Sequence, residues 1–238
     1  METLCFALGT IWNWTKSKNR NALIDYAKNL KVDGIEITFA TKEEVYAFDI
    51  TNDNRNWLKS LKYVSIHAPF NLLRGSVDEK ELIKQLDIID DIYKDINAKN
   101  VVIHPTELPE PRILNKYKFK MSTENLPPVK IFTIVKLIDV FKKYPNMGFC
   151  LDVAHAYLWS KDKTKRLLKK FGNRLTQVHL SGTYRRRDHQ SLRTVTSNFM
   201  KSIETVFALD VPIIIEETIK KKSMTLLHEE VKFIRDLF

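Results

Sequence analysis

A chain of 238 residues that is 44% hydrophobic can bury a substantial core, and its length suits one α/β domain spanning 1–238. The 39 basic and 29 acidic side chains leave a formal charge of +10, which favours polyanionic or phosphorylated partners without deciding for them. No apolar run approaches transmembrane length, METLCFALGTIWNW lacks a basic region before its apolar stretch, and Cys5 and Cys150 lie inside apolar runs. A cytoplasmic protein with no membrane span, no signal peptide, no disulfide framework and no cysteine zinc site is therefore expected.

Short apolar, β-rich runs occupy 4–9, 34–38, 63–67, 100–104, 119–124, 148–152, 175–180 and 212–217. Helix-period segments lie between most of them, at 21–30, 53–61, 78–97, 129–144, 161–171 and 197–209, and a last one follows at 224–237. The segment 78–97 repeats apolar residues at three- and four-residue steps: Leu82, Ile83, Leu86, Ile89, Ile92, Tyr93 and Ile96. Eight continuous apolar strands alternating with amphipathic helices predict a single (β/α)8 TIM barrel of the α/β class. The fourth crossover breaks the rhythm, because Pro105, Pro109 and Pro111 disfavour a regular helix between strands four and five. No internal repeat, low-complexity tract or Gly/Ser linker interrupts the chain.

Ionisable residues cluster at the predicted strand ends. His67, His104, Glu124, Asp152, His179 and Glu217 each end or follow a strand, Glu36 lies within one, and His155 is three residues beyond Asp152. In a (β/α)8 barrel those ends converge on the face where active sites are built. Any one such histidine is more often a satisfied structural residue, but six groups at six strand ends point to a metal site. Imidazole with carboxylate suits zinc, and manganese or iron where oxygen ligands dominate.

At these same residues the sequence resembles endonuclease IV, the family 2 apurinic/apyrimidinic endonucleases, within the superfamily that also holds xylose isomerase-like sugar isomerases and epimerases. The matching segments are HAPFNLL at 67–73, VVIHP at 101–105, TEN at 123–125, CLDVAHAY at 150–157, QVHLSG at 177–182 and EET at 216–218. The resemblance implies a DNA-repair hydrolase with two or three divalent ions. His67 and His104 would hold one ion and Glu124 would bridge it to a second, which Asp152, His179 and Glu217 complete. His155 and His189 would hold the third. The family's third ion also takes an Asp two residues before that histidine, where this chain has Arg187, with Asp188 directly before His189. The first strand ends in ALGTIWN without the family's histidine, GIEI at 34–37 is closer to the sugar isomerases, and the loops after His104 and His179 are short.

Two chemistries follow. In the first, the ions drive phosphoester hydrolysis, with abasic sites in DNA as one candidate target and Glu124 as a bridging ligand and base. Arg185, Arg186 and Arg187 would bind phosphate by their bidentate geometry, and Phe70 would stack on a base or sugar. The alternative is a single-metal isomerase or epimerase acting on a sugar or sugar phosphate, in which Glu124 and Glu217 move a proton beside a carbonyl. A barrel that only binds phosphorylated ligand or nucleic acid uses the ligand set least. The sequence does not determine the oligomeric state.

Overall fold

The computed structural model describes residues 3–15, 19–128 and 134–238. In chain order its elements are β1 (Leu4–Ala7), α1 (Arg20–Ala27), β2 (Gly34–Thr38), α2 (Lys42–Tyr46), α3 (Asn52–Ser60), β3 (Tyr63–His67), α4 (Glu79–Asp95), β4 (Asn100–Ile103), α5 (Pro111–Leu114) and β5 (Met121–Glu124). They continue with α6 (Ile134–Lys143), β6 (Gly148–Asp152), α7 (Val153–Trp159), α8 (Lys163–Phe171), β7 (Leu175–Leu180), β8 (Gly182–Tyr184), β9 (Arg187–Gln190), α9 (Ser197–Ile203), β10 (Ile213–Ile215) and α10 (Met224–Arg235). Eight strands, all paired in parallel, close into a barrel in the order β1-β10-β7-β6-β5-β4-β3-β2, while β8 and β9 form a separate antiparallel hairpin. This is the α/β TIM barrel that the alternation of strands and helices predicts.

Local chemistry explains the helices. The carboxylate of Asp78 caps α4 by accepting the Glu81 amide at 2.8 Å, and Leu82, Leu86 and Ile89 bury its inner face. In the fourth crossover Pro111 takes the first position of α5, where a missing N–H is harmless, and the helix lasts a single turn. The predicted helix 129–144 is seen as α6; its first five residues lie outside the described residues. The segment 197–209 divides into α9 and a 3-10 stretch over Glu204–Ala208. Besides the short α2, two further features were not expected. The seven-residue α7 starts directly at the end of β6 with no linker to signal it, and the β8–β9 hairpin occupies what reads as loop. Among the described residues no helix is long and apolar enough to cross a membrane.

The barrel interior is unusually polar for this architecture, whose inner layers are commonly branched aliphatics. Strand pleating sends every second residue inward. The inward series runs Cys5 and Ala7, Glu36, Tyr63 and Ser65, Asn100, Ser122, Cys150, Gln177, and Ile214. Cys5, Ala7 and Ile214 pack as a small cluster of their own, apart from the main core that holds Ile213 and Ile215 against the helices.

Candidate metal centre

The same alternation delivers the ionisable residues to one end of the barrel. His67, Glu124, Asp152 and His179 are inward residues at or near the ends of β3, β5, β6 and β7, and His104 follows β4 directly. All but His104 are almost completely buried. Potential ligand atoms fall into overlapping sets, each within 4.8 Å: His67, His104 and Glu124; then Glu124, Asp152, His179 and Glu216; then Asp152, His155 and His189. Glu124 faces two ways. Its Oε1 lies 2.8 Å from His104 Nε2 and 3.9 Å from His67 Nε2, and its Oε2 lies 3.2 Å from His179 Nδ1.

Glu216, not Glu217, completes the central set. Ile214 points into the barrel, so the next inward residue is Glu216, whose Oε2 is 2.8 Å from His179 Nδ1. Glu217 points outward like Ile213 and Ile215. Its Oε1 accepts the Leu192 amide at 2.9 Å, and burial together with the nearby Glu230 pushes its carboxyl well above the usual range. The run Ile213–Ile215 is buried on both faces and carries no alternation, so the sequence offers no parity for the glutamates that follow.

Hydrogen bonds fix the imidazoles. Nδ1 of His67, His155 and His189 each lies against a backbone carbonyl, of Ala68 at 2.8 Å, Asn125 at 3.0 Å and Glu216 at 2.8 Å. An Nδ1–H donated there leaves Nε2 bare, the arrangement that orients metal-binding histidines. Asn125, marked in the sequence only as part of TEN, holds β5 to β6 by pairing its side-chain amide with both backbone groups of Asp152. Asp152 has its own division of labour: Oδ1 caps α7 through the His155 amide at 2.7 Å, and Oδ2 turns to the site.

The donor set fits a divalent cation. Glu124 Oε2, Asp152 Oδ2, His179 Nδ1 and Glu216 Oε2 are buried and make no well-angled hydrogen bond, although His179 Nδ1 lies within 3.2 Å of both glutamate oxygens, and one such atom comes from each member of the central set. Four inward-facing orphan atoms of this kind are costly unless a cation satisfies them. Without one, protons take that place. Burial opposes charge on His155, but Asp152 and Asp188 lift it to about 10. Burial likewise opposes charge on His67, His179 and His189, but neighbouring carboxylates raise His67 and His189, and Cys150 with Glu216 and Glu36 raises His179. Burial raises Asp152 to about 6, while beside His179 and His189 Glu216 falls to about 2 despite burial. Burial pushes the Cys150 thiol, one layer below Asp152, up to about 12.

The hairpin brings in the remaining predicted residues unequally. His189 adopts a left-handed backbone, φ 49°, and Asp188 Oδ2 lies 3.4 Å from His155 Nε2. Arg185 and Arg186 form the turn, both with positive φ, and all three arginines are exposed. A cleft of about 490 Å³ opens above the centre; its walls include Phe70, Arg74, His104, Glu124, His155 and Glu216 but none of the hairpin arginines. Phe70 stacks on the His104 ring at 5.4 Å and is 41% exposed. A neighbouring, mostly apolar pocket of about 360 Å³ adds Leu8, Trp12 and Leu23 to Phe70 and Glu216.

No protein-family model matches the chain, and no curated protein matches it. Solved structures do. Endonuclease IV from Thermus thermophilus superposes with a TM-score of 0.71 at 18% identity, covering 99% of this chain and 98% of that one. A D-tagatose 3-epimerase-like protein gives 0.65 at 18%, covering 98% of both chains. The probable 3-DHS dehydratase AsbF from Bacillus anthracis gives 0.72 at 12%, covering 99% of both. At these identities the likeness is one of fold, and the chain has the TIM-barrel fold of endonuclease IV and of the epimerase-like protein.

Proposed function

We propose that the chain is a metal-dependent phosphoesterase of the endonuclease IV kind, holding two or three divalent ions, zinc or manganese, and acting on DNA or a smaller phosphorylated substrate. The observation that carries this reading is the two-way placement of Glu124, with one oxygen toward His67 and His104 and the other toward His179. A single ion would leave one of those faces unused. Glu124 would hold two ions, with His67 and His104 completing one set and Asp152, His179 and Glu216 the other; His155, His189 and Asp152 form the third, with Asp188 beside it. Ions so held would lower the pKa of a water and neutralise the phosphoryl oxygens in an in-line displacement.

The chain's own part is to position and to exclude. Glu124 sets the spacing, and the carbonyl-anchored imidazoles set the angles. Phe70, lying flat on His104, walls the cleft and offers an exposed face to a base or sugar. Arg74 on the cleft wall, and Arg185, Arg186 and Arg187 on the hairpin that carries His189, supply cations for flanking phosphates. Metal-loaded protein should cleave a duplex oligonucleotide carrying an abasic site, and its binding should weaken as salt rises.

A second reading rests on the four orphan atoms of the central set. One ion on Glu124, Asp152, His179 and Glu216, beside the apolar pocket at Trp12 and Phe70, suits a sugar isomerase or epimerase. Glu124 and Glu216, rather than Glu217, would then move the proton. If metal-loaded protein leaves abasic DNA and small phosphodiesters intact but exchanges a carbon-bound proton on a ketose, this reading replaces the first.

A further inference from the structure

Beneath the ligand sets the barrel interior holds a polar network that the metal chemistry does not use. Glu36 on β2 is fully buried. Its Oε2 accepts from Ser65 Oγ at 2.9 Å and from Gln177 Nε2 at 2.7 Å. Gln177 is itself oriented from the far side, since its Oε1 accepts from Tyr63 Oη at 2.9 Å and from Asn100 Nδ2 at 3.0 Å. Asn100 also donates to Ser122 Oγ at 2.7 Å. Residues from β2, β3, β4, β5 and β7 thus fix one carboxylate, and that carboxylate faces His179: Oε1 is 3.2 Å and Oε2 3.3 Å from His179 Nε2.

His179 differs from the carbonyl-anchored histidines. They present Nε2 to the site, whereas His179 presents Nδ1 toward Glu124 and Glu216. For Nδ1 to act as a ligand it must be bare, and the ring proton must then sit on Nε2. Gln177 Nε2, 3.0 Å away, has no lone pair and cannot accept that proton. Glu36 can. We propose that Glu36 is a positioning residue: by accepting the Nε2 proton of His179 it selects the tautomer and ring orientation that make Nδ1 a ligand of the central set, and it strengthens that ligand. This inference rests on reading the central set as an ion site. Carboxylates placed behind metal-binding histidines have this effect generally, and their loss weakens metal affinity by about 10- to 100-fold.

Glu36→Gln keeps the shape and removes the charge. In zinc titrations against a chromophoric chelator, the variant should hold one equivalent about 10- to 100-fold more weakly than wild type. The zinc bound by His67, His104 and Glu124 should be unchanged, which also reports an intact barrel. Long-range ¹⁵N–¹H spectra of zinc-loaded, histidine-labelled wild type should place the His179 proton on Nε2. Should Glu36→Gln fail to fold, Ser65→Ala, which removes one donor to the same carboxylate, should give a smaller loss in the same direction. Wild-type zinc affinity in folded Glu36→Gln overturns the inference and leaves the ion site standing, whereas a proton on Nδ1 in the zinc-loaded wild type overturns the inference and removes His179 from the ligands. If wild type takes up no zinc at the central set, the inference and the ion-site reading fail together.

Discussion

The strand ends from β3 to β7 and the segment from the hairpin to the end of β10 bring candidate ligands together by different means. In the first region each candidate ligand lies at, next to or directly after the last residue of a strand, and pleating alone decides that it faces inward. In the second the chain leaves regular structure early. β10 has only Ile213–Ile215, and His189 reaches the site with a left-handed backbone. Where strands are long, position in sequence predicts facing; where they are short, the backbone between must be known.

The largest expected effect tests the first region. Glu124→Gln retains the shape but loses the charge that both ligand faces share, so at least one equivalent of zinc should be lost and hydrolysis should fall by about a thousandfold or more, as when a principal electrostatic stabiliser is removed. Metal analysis alongside a cleavage assay reads both. Unchanged zinc content in the folded variant would mean that Glu124 does not bridge.

The adjacent glutamates give the sharpest test of the second region. Glu216→Gln should weaken zinc at the central set, while Glu217→Gln should leave zinc binding intact. Glu217 should differ in stability as well. Its folded-state pKa lies above the unfolded value, so whatever it contributes is present at low pH and is lost as pH rises toward the folded value. Glu217→Gln should therefore match wild type in acid and gain on it as pH rises above about 4.3. Thermal melts of metal-free protein across pH read this. A variant that melts lower at neutral pH would show that the Glu217 carboxylate is ionised and useful.

Because His67, His155, His179 and His189 are all raised, a cation competes with protons for them. Zinc uptake should release protons and tighten as pH rises, with the heat of binding depending on the buffer's ionisation enthalpy. Buffer-independent heats would place the ions elsewhere. The smallest effect concerns the turn. Arg185 and Arg186 occupy positive-φ positions that favour Asn-Gly. Replacing the pair by Asn-Gly should stabilise the fold by about 1 kcal/mol. It should also weaken DNA binding and reduce its salt slope by about two. An unchanged slope would assign the arginines to solvent.

The barrel was legible because eight apolar runs and the helices between them carry distinct periods, and the prolines marked the crossover that shrinks to α5. His67, His104, Glu124, Asp152 and His179 were legible because a strand-final position on a barrel has one destination. The placement of Glu216 was not, since Ile213–Ile215 shows no alternation from which to count and the resemblance in EET points to Glu217. α7 was hidden by its direct start at Asp152, whose carboxylate serves as cap and candidate ligand together. The role of Glu36 behind His179 depends on packing across the barrel between residues 143 positions apart, which no local pattern encodes.

The central claim is that Glu124 joins two ion sites. Metal content per chain, measured on zinc-loaded protein after removal of free metal, tests it most directly. Wild type should hold two or three equivalents, and Glu124→Gln fewer. A single equivalent in wild type, held by Glu124, Asp152, His179 and Glu216 with His67 and His104 dispensable, would contradict it.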